Sequence, residues 1–348
     1  MAWPSIKRLA LRALLSLPPP ALRLLAGGGV VYRGGRTLDP RFQFLAAMES
    51  RRPALETLPP EEARIASAQR LAMVSGPVEP GVGVETLIID GPSGPLTARA
   101  YRPEDQDPAA PALVYAHSGG GVIGDLDRSE GFCRILARLA RCPVISVAYS
   151  LAPENRFPAG LEDITAAYRW VRDNAARFGA PAGSAAVGGD SLGGTFAAAV
   201  AQDLKRRGEP QPAVQLLIYP STDIGSESAS MKLYADAYPL PRSLLDWFTG
   251  HYLGPQADPA DPRLSPIRER DLSGLAPAVV VTAGFDPLLD QGEAYARRLR
   301  AAGTPVVYRC YDDLPHGFAA FAGAVPRADA ACREIAGLVR RGLEGRLA

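Results

Sequence analysis

The chain has 348 residues, 47% of them apolar, and a formal net charge of +1. That suffices for one large α/β domain with a smaller lid, or for two domains, and leaves little room for extended disorder. The near-neutral balance removes the electrostatic case for nucleic acid as a partner. Cys133, Cys142, Cys310 and Cys332 are scattered, with no CxxC and no histidine at metal-ligand spacing. They read as free, mostly buried thiols, which suits a reducing, cytoplasmic compartment and implies no metal site.

From the N-terminus, Ile6 to Leu17 is apolar but interrupted by Lys7, Arg8 and Arg12, and it runs into Pro18-Pro19-Pro20. No small-residue cleavage site follows, so an amphipathic helix is expected rather than a secretory signal. The run also falls short of the ~18 apolar residues of a membrane span. A helix folded back as part of a lid is the preferred reading. Peripheral membrane contact through it is the alternative, since basic and apolar residues together suit an interfacial helix. Asp39-Pro40 and Pro59-Pro60-Glu61-Glu62 begin two further helices, and no strand signal appears before residue 80.

The pattern changes at Val84. Val84–Asp90 and Leu96–Tyr101, joined through Gly91-Pro92-Ser93-Gly94, predict an antiparallel hairpin. Strands and helices then alternate. Ala112–Ala116, Pro143–Tyr149, Ser184–Gly188, Val214–Tyr219, Ala278–Thr282 and Val306–Tyr311 are predicted strands. Between and after them, Arg128–Leu139, Leu161–Phe178, Thr195–Leu204, Asp290–Ala302 and Pro326–Leu343 are predicted helices. Such alternation predicts a mostly parallel sheet with helices on both faces and an antiparallel edge. Residues 222 to about 265 are too long for a loop and include a helical piece, Pro241–Tyr252.

Gly189-Asp190-Ser191-Leu192-Gly193-Gly194 lies between a predicted strand and a predicted helix. A serine in that strand–turn–helix setting is what a nucleophile elbow requires, although a Gly-rich turn with an ordinary serine has the same pattern. The other parts of the machinery decide. In the order Ser, acid, His that goes with such an elbow, only His251 and His316 follow Ser191. His251 falls inside the 222–265 segment. His316 follows the last strand and is the expected base. Asp286, after the preceding strand and held by Pro287, is the expected acid, with Asp290 as runner-up. Earlier, His117-Ser118-Gly119-Gly120-Gly121 follows the strand Ala112–Ala116. The backbone N–H groups of Gly119, Gly120 and Leu192 are the expected oxyanion donors. His117 precedes the serine and is expected to pin this loop rather than act as a base.

With these residues in place, the chain resembles the bacterial esterase branch of the hormone-sensitive-lipase-like family of α/β-hydrolases. The resemblance rests on five segments in order: His117–Gly121, Tyr149-Ser150-Leu151-Ala152-Pro153-Glu154, Gly189–Gly194, Asp286-Pro287-Leu288-Leu289-Asp290-Gln291-Gly292, and His316-Gly317-Phe318. It covers the chain from about residue 38 onward. It implies an α/β-hydrolase fold with a helical cap, Ser191 as nucleophile, Asp286 as orienting acid and His316 as base. It also implies short- to medium-chain acyl esters as substrates. Four positions depart from the pattern: Ser118 and Gly121 in the loop, Leu192 after the nucleophile, and Gln291 in place of Glu. Gly121 stands where an aromatic is usual, which predicts a roomier acyl pocket, with Leu192 near it.

The expected organisation is therefore an N-terminal helical cap segment over 1–80 and a catalytic domain over 81–348, with a cap insertion at about 222–265. The expected pocket includes Gly121, Val122, Trp247, Phe248, Phe285 and Phe318. The partner is a small-molecule ester, no cofactor is called for, and a homodimer stays open. A lactone, carbamate, amide or specialised ester on the same triad is an alternative substrate. A non-catalytic receptor on this fold is disfavoured by the presence of both His316 and Asp286.

Overall fold

The computed structural model describes residues 3–74, 76 and 78–347. Helices α1 (Trp3–Leu15) and α2 (Pro19–Leu25) come first, followed by a hairpin of β1 (Tyr32–Arg33) and β2 (Arg36–Thr37). Helix α1 is docked through Leu11 and Leu15, and α2 through Leu22. The hairpin corrects the expectation of no strand before residue 80. Its strands are too short to show alternation, and the signal lay instead in Gly34-Gly35, whose φ angles of 56° and 78° suit a tight two-residue turn. Helix α3 (Pro40–Glu49) starts as predicted, with the Asp39 carboxylate accepting from the Arg41 N–H at 2.7 Å. Helix α4 (Pro60–Val74) completes this region.

Two long strands, β3 (Val82–Gly91) and β4 (Gly94–Pro103), form the predicted hairpin. The alternation follows: β5 (Ala112–Ala116), α5 (Leu126–Ala140), β6 (Val144–Val147), α6 (Ala159–Asp173), β7 (Ala185–Asp190), α7 (Leu192–Arg206) and β8 (Gln215–Ile218). The segment after β8 carries α8 (Ala229–Leu233) and α9 (Arg242–Tyr252). The chain ends with β9 (Ala278–Phe285), α10 (Leu289–Ala301), β10 (Val306–Pro315) and α11 (Pro326–Leu343). The helix predicted over 161–178 stops at Asp173, because the Asn174 side chain donates to the Trp170 carbonyl at 2.9 Å and a 3₁₀ turn, Ala175–Phe178, follows.

Eight strands form one sheet in the order β10-β9-β8-β7-β5-β6-β4-β3. The six from β6 to β10 run parallel, and β4 and β3 add the antiparallel edge. Strands β5 to β9 are buried along their whole length, as continuous apolar strands between two helical layers should be. Among the described residues, no helix is long and apolar enough to cross a membrane.

Ser191, the His117–Gly121 loop, Asp286 and His316 each follow the C-terminal end of a parallel strand: β7, β5, β9 and β10 respectively. The sheet therefore delivers all four to one edge, where open α/β sheets place their ligands.

Candidate active site

Ser191 turns the chain from β7 into α7 with φ 56° and ψ −122°. A non-glycine residue in that region is strained, as a nucleophile elbow is. The turn is held by the Ser191 N–H donating to the Ile218 carbonyl at 2.8 Å. A Cβ on Gly193 would lie 2.0 Å from the Ala116 carbonyl oxygen, and one on Gly189 2.4 Å from the Gly193 carbonyl carbon. Only glycine at both positions lets α7 start against the end of β5.

His316 Nε2 is 3.0 Å from Ser191 Oγ, and its Nδ1 is 2.7 Å from Asp286 Oδ2. A carboxylate can only accept, so Nδ1 carries the proton and Nε2 faces the serine hydroxyl as an acceptor. Asp286 is fully buried, and its other oxygen accepts the Leu288 N–H at 2.8 Å. Asp290, the runner-up, is engaged elsewhere. Its Oδ2 accepts the Ser230 N–H at 2.8 Å, and its own N–H donates to Ser230 Oγ at 3.1 Å. His251 lies on α9 against the Trp247 ring, 4.6 Å between centroids.

The loop after β5 turns through Gly119, Gly120 and Gly121 at φ 131°, 61° and 71°. A Cβ on Gly119 would lie 1.9 Å from the Ile123 carbonyl oxygen. Among the described residues, the N–H groups of Gly119, Gly120 and Leu192 have no hydrogen-bond acceptor. His117 pins the loop. Its Nδ1 donates to the Ser118 carbonyl at 2.8 Å, and its ring stacks on Tyr149 at 4.3 Å. The Tyr149 hydroxyl in turn donates to the His117 carbonyl at 2.9 Å. Burial lowers the His117 pKa, so the ring is held neutral.

Two residues of this framework were not singled out from the sequence. Asp190 is buried, and its Oδ1 accepts from the Tyr115 hydroxyl at 2.8 Å and the Ser118 N–H at 3.0 Å. Its Oδ2 accepts from the Tyr219 hydroxyl at 3.1 Å. Arg64 on α4 donates to the carbonyls of Val122 at 2.8 Å and Ala152 at 2.7 Å, and pairs with Glu154 at 2.6 Å. That pairing lowers the Glu154 pKa. Asp190 stood inside the elbow motif, where the acidic position carried the signal. Arg64 sits on a helix whose sequence marks nothing but the helix. Gln291, where the resemblance has Glu, accepts the Thr222 and Asp223 N–H groups at 3.1 Å each and donates to Ser226 Oγ at 3.0 Å. It anchors the start of the 222–265 segment.

A cavity of about 480 Å³ opens onto Ser191 and His316. Its apolar wall comes from Leu11, Leu45, Leu71, Tyr238, Leu244 and Phe248. Of the expected pocket residues, the structure brings only Phe248 to it. Val122 is wholly buried beneath the loop, and Phe285 packs on Tyr234. Phe318 is wedged between Tyr219 and Tyr311, and Trp247 turns toward His251. Gly121 is also off the cavity, and the expectation of extra room there is corrected. A Cβ on Gly121 would lie 2.5 Å from the Tyr252 ring and 2.9 Å from Leu192 Cδ2, so those two side chains fill the space. Among the described residues, no His, Cys, Asp and Glu side chains group as metal ligands would.

A family model described as alpha/beta hydrolase fold matches residues 113–320. The carboxylic ester hydrolase LipN of Mycobacterium tuberculosis is 42% identical over 324 residues, covering 90% of this chain and 85% of LipN. An ethyl acetate hydrolase of Pseudomonas putida is 37% identical over 295 residues, covering 82% of this chain and 93% of that protein. A solved ester hydrolase from the metagenome of Lake Arreo, bound to a bipyridine phosphonate derivative, matches with a TM-score of 0.81 and 42% identity. That match covers 85% of this chain and 94% of the other. The sheet and the Ser191–His316–Asp286 geometry are those of an α/β-hydrolase. The chain belongs to the hormone-sensitive-lipase-like esterase family within that fold, and it is a carboxylic ester hydrolase.

The neutral, buried His117 has a consequence for stability. Unfolded, its imidazole takes up a proton near the ordinary value of 6.5, whereas the folded ring resists it. Its contribution is thus complete above that value and is lost as pH falls through the lower folded value. In urea titrations between about pH 7 and pH 5, the wild type should lose unfolding free energy more steeply than His117→Gln. Parallel slopes would contradict the neutral ring.

Proposed function

We propose that Ser191, His316 and Asp286 hydrolyse short- to medium-chain acyl esters through an acyl-enzyme. The observation that carries this is the continuous hydrogen-bonded line Ser191 Oγ–His316–Asp286, whose Ser191 and His316 line the cavity. Ser191 Oγ attacks the ester carbonyl carbon while His316 Nε2 takes its proton. Asp286 holds the ring and stabilises its protonated form. The carbonyl oxygen, now negative, accepts from the Gly119, Gly120 and Leu192 N–H groups, which have no other acceptor among the described residues. His316 returns the proton to the leaving alcohol. Water then attacks the acyl-enzyme, giving the carboxylic acid and free Ser191.

Residues 1–80 and the segment about 222–265 serve as the cap in this reading, since Leu11, Leu45, Leu71, Tyr238 and Leu244 wall the cavity. Its volume of about 480 Å³ accommodates an acyl chain of modest length. The four thiols are free, which supports a reducing, cytoplasmic setting. A homodimer is an assembly to check by light scattering. With p-nitrophenyl esters from acetate to laurate, the optimum should fall between butyrate and octanoate. Ser191→Ala should lower kcat/KM by about 10⁴-fold or more. Retained turnover in that variant, or an optimum at laurate, would contradict the reading.

A second reading concerns where the enzyme works. Residues 1–38 contain six Lys and Arg and no Asp or Glu. Leu9, Leu24, Leu25, Val30 and Tyr32 are exposed on the same region, while Leu11 of α1 borders the cavity. Basic charge beside exposed apolar side chains fits the surface of an anionic bilayer, and it would place ester-bearing lipids near the cavity mouth. Co-sedimentation with phosphatidylglycerol vesicles should fall by about 10-fold or more when Leu24→Ser and Leu25→Ser are combined, since each leucine loses its burial. Equal partitioning of wild type and variant would count against it.

A further inference from the structure

Six Asp, Glu and Arg side chains border the cavity: Glu49, Arg52, Glu56, Arg70, Arg128 and Asp236. Most are neutralised within the protein. Glu49 pairs with Arg70 at 2.5 Å and with Arg52 at 3.8 Å. Asp236 pairs with Arg33. Glu56 accepts from the Ser243 hydroxyl at 2.5 Å, on the exposed side. Arg128 differs. Among the described residues no carboxylate pairs with its guanidinium. Its Nε donates to Ser118 Oγ at 2.8 Å, and its Nη1 reaches Ser67 Oγ at 3.4 Å. The acids nearest in sequence are used elsewhere: Asp127 and Glu130 pair with Arg99 at 2.9 and 2.7 Å, and Asp125 caps α5, accepting the Arg128 backbone N–H at 2.9 Å.

The position of this cation gives it meaning. Arg128 is half-buried, so its charge is only partly solvated. A guanidinium offers five N–H donors in a planar fork. Here Nη2 makes no bond to the described residues, and the two partners the fork does have are neutral hydroxyls. Ser118 precedes Gly119, so the fork stands one residue from the oxyanion donors and beside α4, whose Ser67 it reaches. An anion there would belong to the molecule whose ester carbonyl lies on Ser191. Ser118, where the resemblance has Gly, supplies the hydroxyl that aims the fork.

Building on the esterase reading, we propose that Arg128 selects ester substrates carrying a second, ionised carboxylate, such as monoesters of dicarboxylic acids. The carboxylate binds the guanidinium while the ester carbonyl sits on Ser191. In an apolar cavity this charge-assisted pairing outweighs the loss of a neutral chain's burial, because it gives Arg128 the counter-charge it otherwise lacks.

The test compares each anionic ester with a neutral ester of matching length in a pH-stat. Monoethyl glutarate against ethyl valerate places the charge on the acyl side. The acetate ester of 3-hydroxypropanoate against propyl acetate places it on the alcohol side. The wild type should favour the anionic member of one pair in kcat/KM, chiefly through KM, and added salt should shrink that preference. Arg128→Met should reduce the anionic-to-neutral ratio by about 10- to 100-fold, and Arg128→Lys should restore part of it. A wild type that prefers the neutral member of both pairs overturns the proposal without any variant. So does an Arg128→Met enzyme that loses both activities equally, which would mark Arg128 as a loop-positioning residue alone. A wild type inert on all four esters would instead refute the esterase reading, and this inference with it.

Discussion

The buried carboxylate of Asp190 is the constraint on which the site depends. It stands one residue before the nucleophile, and its three donors come from β5, from the loop after β5 and from the residue after β8. Taking a carboxylate out of water is costly unless its oxygens are fully used, and here every donor is itself part of the framework. Burial, and the charge of Asp190, raise the Tyr115 and Tyr219 hydroxyl pKa values well above the usual range, so both remain donors. The turn that carries Ser191 and the glycine loop after β5 are thereby fastened to one charged atom group. Their relative position is set before any substrate arrives, which is what electrostatic stabilisation of an oxyanion requires.

Outer contacts extend this frame. His117 and Tyr149 close the loop from one side through a stacked pair and reciprocal bonds to loop carbonyls. Arg64 closes it from the other, tying α4 to Val122, Ala152 and Glu154. The N-terminal helices are therefore wired into the catalytic loop as well as walling the cavity. Gln291 and Asp290 do the same for the segment after β8, one by accepting backbone N–H groups and the other by holding the start of α8. The cavity beside Ser191 is thus a joint product of segments far apart in the chain.

That explains what could be read beforehand. The alternating strands, the elbow and the order Ser191, Asp286, His316 are local or ordinal signals, and they fall at strand ends as expected. The pocket is a different kind of object. Val122, Phe285 and Phe318 lie near site residues along the chain, yet each is buried in the core. Gly121 shows the limit most clearly. A missing side chain in the sequence reads as space, whereas Tyr252 from α9 and Leu192 from α7 supply the volume from elsewhere. Asp190 and Arg64 carry no spacing rule, since their partners are defined only once β5, β7, β8 and α4 have assembled.

The most direct test of this account is steady-state kinetics of Asp190→Asn beside Asp190→Ala on a p-nitrophenyl ester. With the frame loosened, kcat should fall by about 100-fold or more in Asp190→Ala with little change in KM, since the lost interaction matters to the transition state. Asp190→Asn, which keeps one acceptor and the shape, should fall less. A folded Asp190→Ala enzyme with kcat within a few-fold of wild type would contradict the claim that this carboxylate holds the oxyanion loop to the nucleophile.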